Sequence, residues 1–503
     1  MRAALKLPFV LGGEGNEPYP KGIAPTRSKA VWKPSEAVSA VLFWAFILGL
    51  AWCPYLYAGT GLLAWGIDAV LFPGLAALYE ISLLLTGERH PVAVKQIGIS
   101  AALFVAVVIW IVVQNATWTP TSWHHPIWGM AADALGKAIA GSISVNRDLT
   151  TLALLRLVTA ASVFWLALQL CRNTVRANQF MVAIPVITCG YAVYGLISFA
   201  SASAPVSWFG KTPVRGSLMT STFINPDHYA VYCGIGLIMI CNLVLRLYRS
   251  EASIVGGSLG YKLATIIEVT GRSGAILLGA AFLLLAALVL TGSRGGIIAT
   301  GFGLIIFSGL WARRETDSGR SKKEKILRTL VAALVLIAIA AAMFLAFGDR
   351  FFGKVTEAGL TDSTRLAVYV ITLRSIFDAP LLGYGYGTFM DVFPMFRDRS
   401  ISVEGVWQQA HNTYLEVFQG LGLVFGSMLI ASVVPHVLKC LKNAIVSRDG
   451  TEASAIAVSI ACLVGLHALI DFGLQVQAVA LTFMAILGAG VAQSQSARLA
   501  VND

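Results

Sequence analysis

Charge is scarce in this chain. Of its 503 residues only 13% are Asp, Glu, Lys or Arg, against 57% hydrophobic residues and a mean hydropathy of +0.74. That balance excludes an ordinary globular protein in water. A cysteine framework is missing too. The seven cysteines (Cys53, Cys171, Cys189, Cys233, Cys241, Cys440 and Cys462) fall in expected membrane spans or near the inner face, with no disulfide pattern and no zinc spacing. Residues 1–36 lack the apolar stretch of a cleavable signal peptide; they are polar, carry Pro8, Pro18, Pro20, Pro25 and Pro34, and read as a disordered cytoplasmic tail. Neither a soluble domain nor the internal repeat of many transporters is visible.

Long apolar runs are what the sequence has in abundance. A bilayer core of about 30 Å takes roughly 20 apolar residues per helix. Twelve such windows occur, near 38–57, 61–85, 97–116, 150–171, 180–200, 229–248, 274–291, 296–312, 329–348, 413–435, 453–471 and 475–492. The second, with Asp68, Pro73 and Glu80, and the short eighth are the weakest. The expected fold class is all-α: a polytopic membrane domain over 37–493 with about 12 transmembrane helices, both termini cytoplasmic, and a short tail at 494–503. Basic loops are retained in the cytoplasm, and most of the 37 Lys and Arg fall on the side that this topology makes inner. The run "RRETDSGRSKKEK" (313–325) is then an inner loop. A nucleic-acid patch is the competing reading of these charges, but no aromatics are interleaved with them, so the bilayer is the expected partner and nucleic acid is not.

The opposite face carries the residues suited to chemistry. The outer loop 349–410 is too long to be a mere connection. Within it Leu366, Val370, Leu373 and Phe377 recur at helical spacing, with Arg365, Tyr369 and Thr372 on another face, which predicts an amphipathic helix lying over the bundle. "GYGYGTF" (383–389) looks like a phosphate loop, yet no strand–loop–helix unit surrounds it and a tight turn is the expectation. In "LTGSRGGIIATG" (290–301), Arg294 stands at the outer border. It either snorkels to lipid phosphate or binds an anion beside backbone amides left open by Ser293, Gly295 and Gly296. His411 ends the long loop and Asn412 begins the tenth span. A lone border histidine is an ordinary anchor. With Arg294 and Arg365 on the same face it gains a second reading, because two guanidiniums can grip a pyrophosphate while an imidazole takes a proton.

"TGSRGG", the arginine of "STRLAVYVITLRSIFDAPLLGYGYGTF" and "AHNTYLEVFQGLGL" resemble, in order and spacing, the motifs of the O-antigen ligase and Wzy-type polymerase superfamily, the Wzy_C domain. So do "STFINPDHYAVY" (221–232), "ISVNRDLTTLALLRLV" (143–158) and "LHALIDFGLQVQAVALTFMAILG" (466–488), extending the resemblance from about residue 140 to 490, with the Wzy_C-like region near 200–435. One departure is Phe425, where the family often has a second glycine three residues after the one at Gly422; Gly420 and Gly426 are the candidates to compensate.

The resemblance implies transfer of a glycan from undecaprenyl pyrophosphate to a sugar hydroxyl at the periplasmic face of a bacterial inner membrane, without metal or other cofactor. The acceptor is another glycan or lipid A core, and a chain-length regulator or other envelope assembly proteins are the further partners it allows. Its essential arginines fall on Arg294 and Arg365 and its essential histidine on His411. Arg294 and Arg365 would hold pyrophosphate; Lys211, Arg215, Asn412 and His228 are further substrate-binding candidates. Direct displacement would invert the anomeric centre; Asp391, Glu404 and Glu416 are the carboxylates open to a nucleophilic role. Asn225 or Asp227 can instead cap the sixth span. His467 and Asp471, four apart, share a face of the eleventh span, and Arg156 has Asp68 or Glu80 as expected partners. Trp118, Trp123 and Trp128 read as an interfacial belt. Ligase, polymerase and protein O-glycosylation ligase stay open, as do two other classes: a lipid-linked saccharide flippase and a non-catalytic assembly scaffold.

Overall fold

Apolar runs become helices throughout the described part of the chain. The computed structural model describes residues 34–200, 218–252, 259–314, 363–402, 405–447 and 452–494, and these contain helices and turns with no strand. The long helices are α1 (Pro34–Trp52), α2 (Leu62–Thr86), α3 (Gly98–Asn115), a short α4 (Ile127–Leu135), α5 (Arg147–Leu170), α6 (Thr174–Ala200), α7 (Pro226–Ala252), α8 (Leu259–Leu290), α9 (Arg294–Arg314), α10 (Ser363–Asp378), the short α11 (Phe389–Phe396), α12 (Thr413–Val446), α13 (Glu452–His467) and α14 (Gln477–Ser494). Nine helices among the described residues are long and apolar enough to cross a membrane, and two shorter apolar ones, Glu36–Trp52 and Glu452–His467, lie where the first and eleventh spans were expected. The ninth expected span, 329–348, lies outside the described residues.

Local chemistry fixes the helix ends. Asn146 and Asn412 accept hydrogen bonds from the second and third amides of α5 and α12, and Asn225 does the same for the Asp227 amide, with Pro226 suited to the first position of α7. The capping role foreseen there thus belongs to Asn225. Pro73 is accommodated inside α2, whose carboxylates find partners: Asp68 accepts from Cys53 Sγ at 3.8 Å, and Glu80 meets His90 Nε2 at 2.8 Å and Trp165 Nε1 at 2.7 Å. Arg156 therefore pairs with neither. Its guanidinium donates to the Gln475 carbonyl and lies over the Trp65 ring, 4.5 Å from the centroid.

Helix α14 is the most enclosed of the candidate spans among the described residues. Its Ala- and Gly-rich sequence permits that, because small residues let backbones approach: a Cβ on Gly488 would stand 2.5 Å from the Phe164 carbonyl of α5, and one on Gly490 2.6 Å from Ala457 of α13. Leucines such as Leu84 and Leu85 on α2 point outward, as lipid-facing residues do. Trp118 and Trp123 are exposed, whereas Trp128 donates to the Ser144 carbonyl beneath the Arg147 guanidinium.

The helix foreseen in the long outer loop forms, but on a different seat. Leu366, Val370, Leu373 and Phe377 face away from the bundle, while Val368, Ile371, Thr372, Ser375 and Ile376 are buried. The polar pair is accommodated because Thr372 and Ser375 donate to α10 carbonyls and Gln419 of α12 donates to Ser375 Oγ. After α10 the GYGYG segment docks on α12. Amides of Gly383, Tyr384 and Gly385 are taken by the carbonyls of Ala379, Gln419 and Gly420, so the segment is a turn and has no free amide cradle there. It meets α12 where the helix breaks at Gly422 (φ 74°), and the Leu423 amide bonds back to the Pro380 carbonyl. Phe425, the departure from the family pattern, stacks on Trp110 of α3 with centroids 4.4 Å apart. Gly383 leaves no room for a side chain: at φ 65° its Cβ would sit 2.4 Å from the Gly420 carbonyl oxygen.

Gly383→Ala should therefore destabilise the protein by more than the roughly 1–2 kcal/mol of left-handed backbone strain alone, read as a lower melting temperature in detergent. An unchanged melt would mean that this contact is not close packed.

Candidate functional site

The site grows out of a backbone seam. Residues 411–413 lie against 468–471: the Thr413 amide donates to the Ala468 carbonyl at 2.9 Å, Thr413 Oγ1 to the Asp471 carbonyl at 3.3 Å, and Asn412 Nδ2 to the Leu469 carbonyl at 2.9 Å. Asn412, offered above as a substrate ligand, thus has both ends of its amide engaged in the fold. His411 itself sits at φ 54°, a left-handed conformation costly for a residue with a Cβ, and its carbonyl accepts from the Tyr369 hydroxyl of α10 at 2.9 Å. The seam delivers His411 Nδ1 to Asp471 Oδ1 at 3.1 Å.

That oxygen is crowded. It also accepts from the Phe472 amide at 2.8 Å and faces His228 Nε2, in the first turn of α7, at 3.4 Å. The Phe472 ring stands edge-on to both imidazoles, with centroids 4.4 Å from His228 and 5.0 Å from His411. Burial alone would raise the Asp471 carboxyl, but the hydrogen bonds from His228 and His411, with the positive charge those rings carry once protonated, outweigh it and hold the group well below the ordinary carboxylate range. The two imidazoles differ in reach: the His411 side chain is 23% exposed and that of His228 only 4%. With Nδ1 on Asp471, His411 keeps Nε2 for a ligand, so the tautomer with a proton on Nδ1 follows from the hydrogen bond. His467 ends α13 beside them; Asp471 lies beyond the helix, in the loop, so the two do not share a helix face, and a backbone bond runs from the Asp471 amide to the His467 carbonyl.

Arg365 and the start of α9 meet the same loop. Arg365, in the first turn of α10, donates to the Ile470 carbonyl at 3.2 Å. Arg294 opens α9, and the next residue, Gly295, is pressed against the loop: a Cβ there would lie 2.7 Å from Ile470 and 3.8 Å from the His467 ring. A side chain there would have to displace the tip of Ile470, and at Gly296 the approach is tighter, its Cβ position being 2.4 Å from the Ala230 Cβ of α7. The open amides expected around Arg294 are partly closed, since the Ser293 amide bonds Thr291 Oγ1 and the Gly296 amide bonds Ser293 Oγ. Lys211, Arg215 and Glu404 lie outside the described residues.

The remaining carboxylates are engaged. Asp391 accepts from Asn146 Nδ2 at 2.7 Å. Glu416 holds the Ala410 amide at 2.6 Å with one oxygen and Gln475 Nε2 at 2.8 Å with the other, bracing the segment before His411 to the loop after Asp471. Sequence reasoning had placed Asp471 beside His467 and offered Glu416 as a nucleophile; neither the Asp471–His411 pair nor this brace has a signal in spacing, because each joins segments about sixty residues apart. Among the described residues no three His, Cys, Asp or Glu side chains converge as a metal site.

Asp471→Asn should lower the melting temperature at neutral pH. A carboxyl whose folded pKa is depressed contributes stability that is full above its unfolded value of about 3.9 and is lost as pH falls through the folded one. The gap between wild type and variant should accordingly shrink below about pH 4; a gap independent of pH would rule out the charge as its source.

Comparison with known proteins bears on this same region. The family model described as Wzy_C, O-antigen ligase, matches residues 279–430, and the resemblance carried by the motifs is thereby shown over that segment. Arg294, Arg365 and His411 lie inside it; His228 and Asp471 lie outside. The match supports a role in polysaccharide assembly. No curated protein matches the chain.

Proposed function

We propose that this protein transfers a glycan from undecaprenyl pyrophosphate to a sugar hydroxyl at the periplasmic face of the bacterial inner membrane. The observation that carries the reading is the joint placement of His411, held on Asp471, with Arg365 and the start of α9 on one loop, Leu469–Gly473. His411 Nε2 takes the proton of the acceptor hydroxyl, and the Asp471 carboxylate offsets the charge that the imidazole acquires. The hydroxyl oxygen attacks the anomeric carbon, the bond from that carbon to the phosphate oxygen breaks, and its electron pair leaves with undecaprenyl pyrophosphate. Arg294 and Arg365 stabilise the negative charge growing on the leaving group, where a bidentate fork is worth most. Asp391 and Glu416 are each bound to neighbouring groups, which favours single displacement and hence inversion over a covalent intermediate. Ligase and polymerase share these steps and differ only in the acceptor.

Complementation of a deletion strain with His411→Ala, expressed and inserted normally, should reduce transfer by about 10²–10⁴-fold and accumulate lipid-linked glycan. Single repeats would identify a polymerase and long unligated chains a ligase. Normal polysaccharide from that variant would reduce His411 to an interfacial anchor, as a flippase reading requires. Arg294→Lys keeps the charge and loses the fork; a loss of about 10²-fold or more is expected, whereas near-normal product at wild-type protein level would remove the pyrophosphate assignment and leave the scaffold reading.

A further inference from the structure

The transfer steps leave His228 without a task. Its segment, "NPDHYA" (225–230), offered it as a substrate ligand, yet the ring is buried. His228 Nε2 stands 3.4 Å from Asp471 Oδ1, the oxygen that also takes His411 Nδ1 at 3.1 Å and the Phe472 amide at 2.8 Å. The other oxygen, Oδ2, is buried as well and has no hydrogen-bond partner among the described residues. All the anchoring of this carboxylate therefore falls on one atom. A carboxylate held at one oxygen by one donor can still turn about its Cβ–Cγ bond; a second donor, arriving from another element, fixes the direction in which Oδ1 points. His228 is suited to that because its own place is set from several sides. Asn225 caps the turn of α7 that carries it, Ala230, two residues on, packs at Gly296 of α9, and the Phe472 ring stands edge-on to it with centroids 4.4 Å apart. At Gly473 the loop passes close over two rings, a Cβ there lying 3.2 Å from His467 Nδ1 and 3.8 Å from His228. To donate to an ionised carboxylate, His228 carries its proton on Nε2.

We propose that His228 is a positioning residue: by donating to Asp471 Oδ1 from the first turn of α7 it fixes where that oxygen points, and so fixes the His411 ring whose Nε2 meets the acceptor hydroxyl. His228 itself touches no substrate. Its influence reaches the reaction through two bonds, His228 to Asp471 and Asp471 to His411. Proton transfer demands an aligned base in the transition state, whereas binding of the lipid-linked glycan does not. Loss of the His228 donor accordingly lowers kcat and leaves KM for the lipid-linked glycan where it was. A substrate ligand would behave in the opposite way, raising KM. The consequence for kcat rests on the transfer reading; the hold on the His411 ring does not.

The test compares three variants of the full-length chain in lipid nanodiscs. His228→Phe keeps an aromatic ring and removes the donor, His228→Asn carries an amide that stops short of Asp471, and His228→Gln brings an N–H to the reach of Nε2. The probe is the lipid-linked glycan extracted from the deletion strain, with membranes of that strain supplying the acceptor. In His228→Phe and His228→Asn kcat should fall about tenfold or more, the worth of a hydrogen bond to a charged group, with KM for the lipid-linked glycan unmoved. His228→Gln should recover most of the loss. Should His228→Phe fail to insert, His228→Asn carries the comparison. Nitrogen-15 NMR of the neutral histidines, with the His411 signal identified by its loss in His411→Ala, should find the His411 proton on Nδ1 in wild type and His228→Gln and shared between both nitrogens in the other two. Normal kcat in both His228→Phe and His228→Asn, a raised KM in place of a lowered kcat, or an equal loss in all three variants would each overturn the positioning role, the second of these making His228 a substrate ligand. The expected change at His411 with no glycan transfer by wild type would keep the hold on the ring and discard the transfer reading; a loss of kcat with the His411 proton unmoved would do the reverse.

Discussion

A carboxylate almost wholly withdrawn from water has to be compensated where it stands, and Asp471 is the constraint around which this end of the bundle is arranged. One of its oxygens gathers the Phe472 amide and two imidazoles from segments far apart in sequence. Burying a charge is tolerable only with such partners. The same need explains the seam between 411–413 and 468–471, the left-handed backbone at His411 and the edge-on Phe472 ring that keeps the two imidazoles apart. Arg365 and Gly295 then meet the loop on its other sides.

The seat of helix α10 departs from the usual habit of soluble proteins. In water an apolar stripe finds the core. Here the apolar stripe of Leu366, Val370, Leu373 and Phe377 turns outward, and the helix is seated by Val368, Ile371 and two small hydroxyl residues that satisfy themselves on their own helix. Arg156 shows the same logic: with carboxylates on α2 already engaged, its charge rests on a carbonyl and an indole face.

Much of this was legible in the sequence, for physical reasons. A span has to be long and apolar, so hydropathy located the described helices, and the cap expected at Asn225 or Asp227 falls on Asn225, whereas Asn412, taken as a substrate ligand, turns out to be a cap. Arg294, Arg365 and His411 drew attention through the motifs that resemble the family, and the family model covers the segment that holds them. What was not legible depends on three-dimensional closure. No periodicity links Asp471 to His411, and none says that α13 stops at His467 and turns Asp471 out of the helix. The open amides assigned to the start of α9 looked open because the side chains of Thr291 and Ser293, which close them, act only once the turn has formed.

The break in α12 has a mechanical meaning. Above Gly422 the helix is short, carries Thr413 and Glu416, and is fastened by backbone bonds to the segment 380–385. Below it runs a much longer apolar rod, stacked on α3 through Phe425 and Trp110. Long rods lean as bilayers thin or thicken. With Gln419 and Gly420 above the break and Leu423 below it all bonded to residues 380–385, that segment acts as a splint across the discontinuity, and the position of His411 is set by the splint as much as by the helix.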